Sequence, residues 1–219
     1  MKIKAVIFDL DGTLVDSIQD IAICMNQVLK ELGYDEHPEG DYQNFVGDGA
    51  LMLVENALPS NCSQSIVNDG LKLFIEKYET GIHNNSKVYE GIYKMLDDIK
   101  HKNLKLAVLS NKPHEFTVEF IQYFFKDYAF VEIHGQKKEV PKKPDPMGAI
   151  NISNALNIKP EDIIFIGDTP TDIKTAKNAN MNSIGVSWGY RSVEELQSAN
   201  ADFIAQDTKH LAQLLLENS

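Results

Sequence analysis

The sequence predicts an α/β fold, a doubly wound parallel sheet with a small helical domain inserted near its start. Five short apolar runs lack the alternation of a half-exposed strand: Ala5 to Phe8, Leu104 to Leu109, Phe130 to Ile133, Ile163 to Ile166 and Ile184 to Val186. Such runs suit parallel strands buried on both faces. From the second run onward they are separated by segments of helical spacing, the order that a sheet wound with right-handed crossovers requires. The connection from Leu14 to Asn103 is too long to be one crossover helix.

Taken in order, Ala5 to Phe8 is the first strand and ends in a cluster of carboxylates. Ile18, Ile21, Ala22, Met25, Val28, Leu29 and Leu32 then recur on one helical face, with Asp16 or Ser17 as the start signal and Gly33 as the stop. Further helices are expected over Ala50 to Leu58 and over Ile66 to Tyr78, the latter followed by Gly81. The polar stretch His83 to Lys87 reads as a return linker, after which Ile92, Met95, Leu96 and Ile99 mark a crossover helix towards the second strand. Pro113 to Phe125 and Pro170 to Ala179 read as later crossover helices, the second with proline in its first turn. The expected division is a Rossmann-like core of residues 1–16 and 87–219 and a helical cap domain of residues 17–86.

Composition narrows the function. With 219 residues, 43% hydrophobic, the chain can bury a substantial core. Twenty-one Lys and Arg against 32 Asp and Glu leave a net charge of −11, which repels polyanions, so no nucleic-acid partner is expected. No apolar run approaches the roughly 20 residues of a membrane span, so no membrane partner is expected either. Cys24 and Cys62 have neither metal-ligand spacing nor disulfide density, and they fit a reducing cytoplasm. A cytoplasmic monomer or homodimer acting on a small molecule is the expectation.

The residues that suggest chemistry stand where strands end. Asp9-Leu10-Asp11-Gly12-Thr13 sets two carboxylates two residues apart before a glycine, which suits a crevice holding a small anion. A solvated acidic turn has the same composition. Ser110, Asn111 and Lys112 follow the second strand and offer a hydroxyl, backbone N–H groups and a cation, although a plain turn uses the same residues. Lys143 lies in Pro141-Lys142-Lys143-Pro144-Asp145-Pro146, where prolines restrict the backbone; an exposed basic loop is the alternative, and Lys142 is a rival for the same role. Gly167-Asp168-Thr169-Pro170-Thr171-Asp172 puts two acids at a helix start, where capping alone accounts for them. Charge balance favours a site: Asp9, Asp11, Asp168 and Asp172 on one edge repel each other without a counter-ion. A hard divalent cation, magnesium, resolves that, and a lysine and hydroxyl opposite it would complete a clamp for a phosphoryl group.

These four stretches, in this order, resemble the haloacid dehalogenase superfamily of aspartate-nucleophile phosphotransferases. Asp9 through Thr13 resembles the first motif, Ser110 the second, Lys143 before Pro144 the third, and Gly167-Asp168 through Asp172 the fourth. Within it, Phe45-Val46-Gly47-Asp48-Gly49-Ala50 and Trp188-Gly189-Tyr190 are most similar to the phosphoglycolate phosphatase group. The resemblance implies that Asp9 attacks phosphorus to give an aspartyl phosphate, while Asp11 donates a proton to the leaving alkoxide and then activates water. It implies a magnesium ion held by Asp9, Asp168, the Asp11 carbonyl and Asp172, directly or through water. Ser110, Lys143 and the N–H groups around Gly12 and Asn111 would hold the phosphoryl oxygens.

Alternatives remain at this point. A phosphomutase shares the core residues but must grip a second phosphate, usually with arginine. This chain has a single arginine, Arg191, outside the expected cap. A dehalogenase needs no leaving-group acid like Asp11 and no magnesium cage, and a phospho-accepting receiver switch needs no inserted cap. Gly47 and Arg191 are weaker candidates for setting substrate preference, Trp188 and Tyr190 fit core packing as well as a rim, and the histidines show no metal-binding spacing.

Overall fold

The computed structural model describes residues 2–81 and 83–218. β1 (Ala5–Phe8) leads to a two-residue strand β2 (Val15–Asp16) and then to four helices, α1 (Ile18–Glu31), α2 (Tyr42–Phe45), α3 (Ala50–Ala57) and α4 (Gln64–Gly81). The chain returns through β3 (Lys87–Val88), which pairs antiparallel with β2, and continues into α5 (Ile92–Ile99). β4 (Lys105–Pro113), α6 (His114–Phe124), β5 (Phe130–Gln136) and α7 (Met147–Leu156) follow. β6 (Ile163–Gly167), α8 (Pro170–Asn178), β7 (Asn182–Val186), α9 (Val193–Ser198), β8 (Phe203–Ala205) and α10 (Thr208–Glu217) complete the order.

The main sheet runs β5-β4-β1-β6-β7-β8, with every neighbouring pair parallel. The chain winds outward from β1 in one direction through β4 and β5, and in the other through β6 to β8. The switch therefore lies at β1, and the crevice beyond its carboxyl end is where such sheets bind ligands. β1 explains the unbroken apolar pattern: Val6 and Phe8 enter one hydrophobic cluster, while Ala5 and Ile7 enter the cluster on the other face. Val108 and Leu109 of β4 divide in the same way. The first cluster also takes in Met25 and Val28 of α1 and Phe74 and Tyr78 of α4, so the inserted helices are continuous with one face of the sheet.

Several boundaries differ from the sequence reading. The strand expected to stop at Leu109 runs to Pro113, so Ser110, Asn111 and Lys112 are strand residues with a register shift against β5. Apolar patterning cannot report that extension, because these residues are polar and buried by the site itself. β8, α7 and α10 lie outside the elements read from periodicity; α7 begins at Met147, whose N–H donates to the Asp145 carboxylate at 2.9 Å. Among the described residues no helix is long and apolar enough to cross a membrane.

Candidate active site

Strand ends and one proline-bounded loop build the site. Asp9 follows β1 directly, and its N–H donates to the Ile166 carbonyl of β6 at 2.8 Å, which fixes the chain at the switch point. Lys143 Nζ lies 2.9 Å from Asp9 Oδ1 and 2.6 Å from Asp172 Oδ1. The other oxygen of Asp172 accepts from the Thr169 N–H at 3.0 Å and from Thr169 Oγ1 at 2.7 Å, closing a capping box at the head of α8. Asp172 thus caps a helix and faces the lysine with different oxygens. Asp168 is held equally firmly, accepting from Thr13 Oγ1 at 3.1 Å and from the Tyr190 N–H at 2.8 Å.

The carboxylates of Asp9, Asp168 and Asp172 each place an oxygen within 4.8 Å of the others, and all three residues are buried. Burial, helped by Asp172 and Asp168 and opposed by Lys143, raises the Asp9 pKa well above the usual carboxylate range. Burial and then Asp172 push Asp168 up to about 7. Burial acts to lower the Lys143 pKa, but Asp172 and Asp9 outweigh it and the net shift is upward, so the ammonium stays charged. One ammonium among three buried carboxylates leaves the cluster short of positive charge. An all-oxygen donor set of this kind fits a hard divalent cation.

Asp11 points elsewhere. Ser17 Oγ donates to its Oδ1 at 2.5 Å, and Lys112 Nζ reaches its two oxygens at 3.0 and 3.1 Å. Ser17 is the N-cap residue of α1 but makes no side-chain capping bond, because its hydroxyl is spent on Asp11. Gly12 has φ of +85°, and a Cβ there would lie 2.3 Å from Asp168 Oδ2, so glycine lets the turn close against that carboxylate.

The remaining sequence candidates separate. Ser110, Asn111 and Gly47 line one cavity with Asp9 and Asp11, closed on the helical side by Ile21, Leu53 and Phe74. Asn111 Nδ2 donates to the Gly47 carbonyl at 3.0 Å and the Lys143 carbonyl at 3.2 Å, while its Oδ1 accepts from the Lys143 N–H at 2.8 Å. It therefore ties the α2–α3 loop to the lysine. Lys143 is buried in the cluster, whereas Lys142 reaches the Asp48 carbonyl at the surface. Arg191 lies outside the cavity lining: its guanidinium donates to the carbonyls of Gln43 and Val46 and braces that same loop. Trp188 Nε1 donates to the Thr13 carbonyl at 3.0 Å and braces the turn that follows Asp9, whereas Tyr190 holds Asp168 with its N–H and lines the cavity.

Tyr78 and Asp20 were not singled out from sequence, and Lys112 was named there without its partners. Lys112 appeared only as a cation at a strand end, yet it meets Asp11 across 101 residues and donates to Tyr78 Oη at 2.6 Å. Tyr78 read as one position of an apolar helical face. Asp20, buried in α1, accepts from the N–H groups of Asn85 and Ser86, at 2.9 and 2.7 Å, and from Asn85 Nδ2 and Ser86 Oγ. Its signal, an acid within an apolar stripe, is weak in isolation.

A family model described as haloacid dehalogenase-like hydrolase matches residues 6–186, from β1 through β7. The chain is a haloacid dehalogenase-like hydrolase. Among relatives of this hydrolase is the phosphoglycolate phosphatase of Psychrobacter arcticus, 32% identical over 98% of this chain and 96% of that one. The phosphoglycolate phosphatase of Vibrio parahaemolyticus is 31% identical over 97% of this chain and 96% of its own. A crystal structure from Lactobacillus delbrueckii subsp. bulgaricus superimposes with a TM-score of 0.93 at 29% identity, covering 98% of this chain and 99% of that one.

Proposed function

We propose that this phosphoric monoester hydrolase cleaves a small phosphorylated metabolite, phosphoglycolate foremost, through an aspartyl-phosphate intermediate at Asp9. The observation that carries the reading is the position of Asp9: a buried carboxylate at the switch point, 2.9 Å from a charged lysine and beside two further acids. A carboxylate oriented in this way can attack phosphorus while Lys143 and Ser110 neutralise and hold the phosphoryl oxygens. Asp11, lining the same cavity, is the group to pass a proton to the leaving oxygen and take one from the attacking water. Asp9, Asp168, Asp172 and the Asp11 carbonyl would hold magnesium. When bound, that ion supplies the positive charge that lets an anionic nucleophile meet an anionic phosphoryl group.

Residues 17–86 act in this reading as a cap hinged at the β2–β3 pair, with the α2–α3 loop shielding the reacting group from water. The lone arginine is occupied with carbonyls of that loop, which favours hydrolysis over relocation of a phosphate between two sites. The two relatives, both phosphoglycolate phosphatases, support the substrate. The test is a panel of small phosphate esters with magnesium, run beside Asp9→Asn. Turnover is expected to need the metal and to vanish in the variant; turnover that persists in Asp9→Asn refutes the nucleophile.

A further inference from the structure

Lys112 is a buried cation for which the reaction above has no use. Its side chain, 4% exposed, meets Asp11 and donates to Tyr78 Oη at 2.6 Å. Its Nζ lies 4.6 Å from the centre of the Tyr78 ring and 4.3 Å from that of Phe120. Among the described residues lining the cavity of Asp9 and Asp11 it is the one cation, and Ile21, Leu53 and Phe74 make the facing wall apolar. Placing an ammonium there is costly unless anions meet it. Asp11 is one such anion, but Ser17 already holds Asp11 at 2.5 Å. The three donors of the ammonium face the two Asp11 oxygens and Tyr78 Oη, so a ligand carboxylate would enter by taking over one of the two Asp11 contacts.

The two buried lysines divide the work between the two aspartates. Lys143 attends Asp9, where the phosphoryl group would react, and Lys112 attends Asp11, where the leaving oxygen would depart. The geometry points to Lys112 as the residue that selects the leaving group, its ammonium receiving a carboxylate carried one or two carbons from the ester oxygen. The substrate class is then a phosphorylated small hydroxy acid. A single compact charge in an apolar wall matches a carboxylate better than a second phosphate, which calls for several donors or an arginine fork. This assignment rests on the phosphatase reading and says which esters that phosphatase prefers.

The test compares phosphoglycolate with hydroxyethyl phosphate, whose leaving group is of similar size but uncharged, using the full chain with magnesium. Wild type is expected to favour phosphoglycolate in kcat/KM. In Lys112→Met that preference should shrink by about tenfold or more, mainly through KM, with Lys112→Arg recovering part of it. If Lys112 serves only to hold Asp11, both esters lose rate by the same factor and the preference is unchanged, which overturns the proposal. Wild type that does not distinguish the esters overturns it as well, whether or not Lys112→Met folds. Wild type that turns over neither ester, with the metal present, instead removes the phosphatase reading beneath it.

Discussion

Lys143 donates to Asp172 at 2.6 Å with the same ammonium that lies 2.9 Å from Asp9, so a single cation holds together the acid that follows β1 and an acid in the first turn of α8. Lys143→Met removes the ammonium that faces Asp9 and Asp172. Removing one member of a buried charge set costs about 3 to 5 kcal/mol. Urea unfolding of the metal-free variant should show a loss of that order, with part of it regained on adding magnesium. A loss below about 1 kcal/mol would mean that the acids are already neutral without the lysine.

The same cluster makes stability depend on pH. Asp168 rises from 3.8 to about 7 on folding, so the folded state holds its proton more tightly than the unfolded chain does. Asp9 shifts in the same direction. The contribution of these two acids to metal-free stability is therefore fullest below the unfolded value of 3.8 and is lost as pH rises through about 7. A cation favours the ionised acids, so the rise in Tm caused by magnesium should be larger near about pH 8 than near about pH 5. An equal rise at both would argue that the cluster does not take the ion.

Gly12 allows no side chain. With φ of +85° and a Cβ that would fall 2.3 Å from Asp168 Oδ2, Gly12→Ala must displace either the turn or the carboxylate. A displacement of about 1 Å at a reacting centre can cost about 100-fold in rate. Activity on any phosphate ester should fall by that order, and the magnesium-induced rise in Tm should shrink with it. A variant with normal magnesium response and normal kcat would show the turn to be compliant.

Asp20 joins α1 to the segment that leads back to β3. It receives bonds from both Asn85 and Ser86, including backbone N–H groups at 2.9 and 2.7 Å. Asp20→Ala should destabilise the protein by about 2 to 3 kcal/mol, because buried donors lose a charged acceptor. Amide exchange at Asn85 and Ser86 should accelerate while exchange in β1 and β6 holds nearer its original rate. Uniform acceleration throughout the chain would mean that the bond set stabilises the whole fold and not that return segment.

Much of the sheet was legible in sequence because a strand buried on both faces writes its burial into consecutive residues, as Ala5 to Phe8 do. Helix α1 was legible for the complementary reason: its buried positions recur at helical spacing, and Gly33 follows its end with φ of +80°. The end of β4 was not, since Ser110 to Lys112 are polar residues buried by partners remote in sequence. Ser17 shows the limit sharply: the local pattern offers its hydroxyl to a helix start, and the fold assigns it to Asp11.

By itself, the sequence determined five of the strands of the main sheet, and which acids, hydroxyls and lysines stand near their ends. These are local properties, governed by side-chain periodicity, glycine and capping within a few residues. Only the tertiary structure decided who pairs with whom. Lys143 and not Lys142 enters the acid cluster, Lys112 meets Asp11, and Thr13 reaches Asp168 across 155 residues. Such pairings depend on the order in which strands lie side by side, and in this sheet that order departs from the order of the chain at β1.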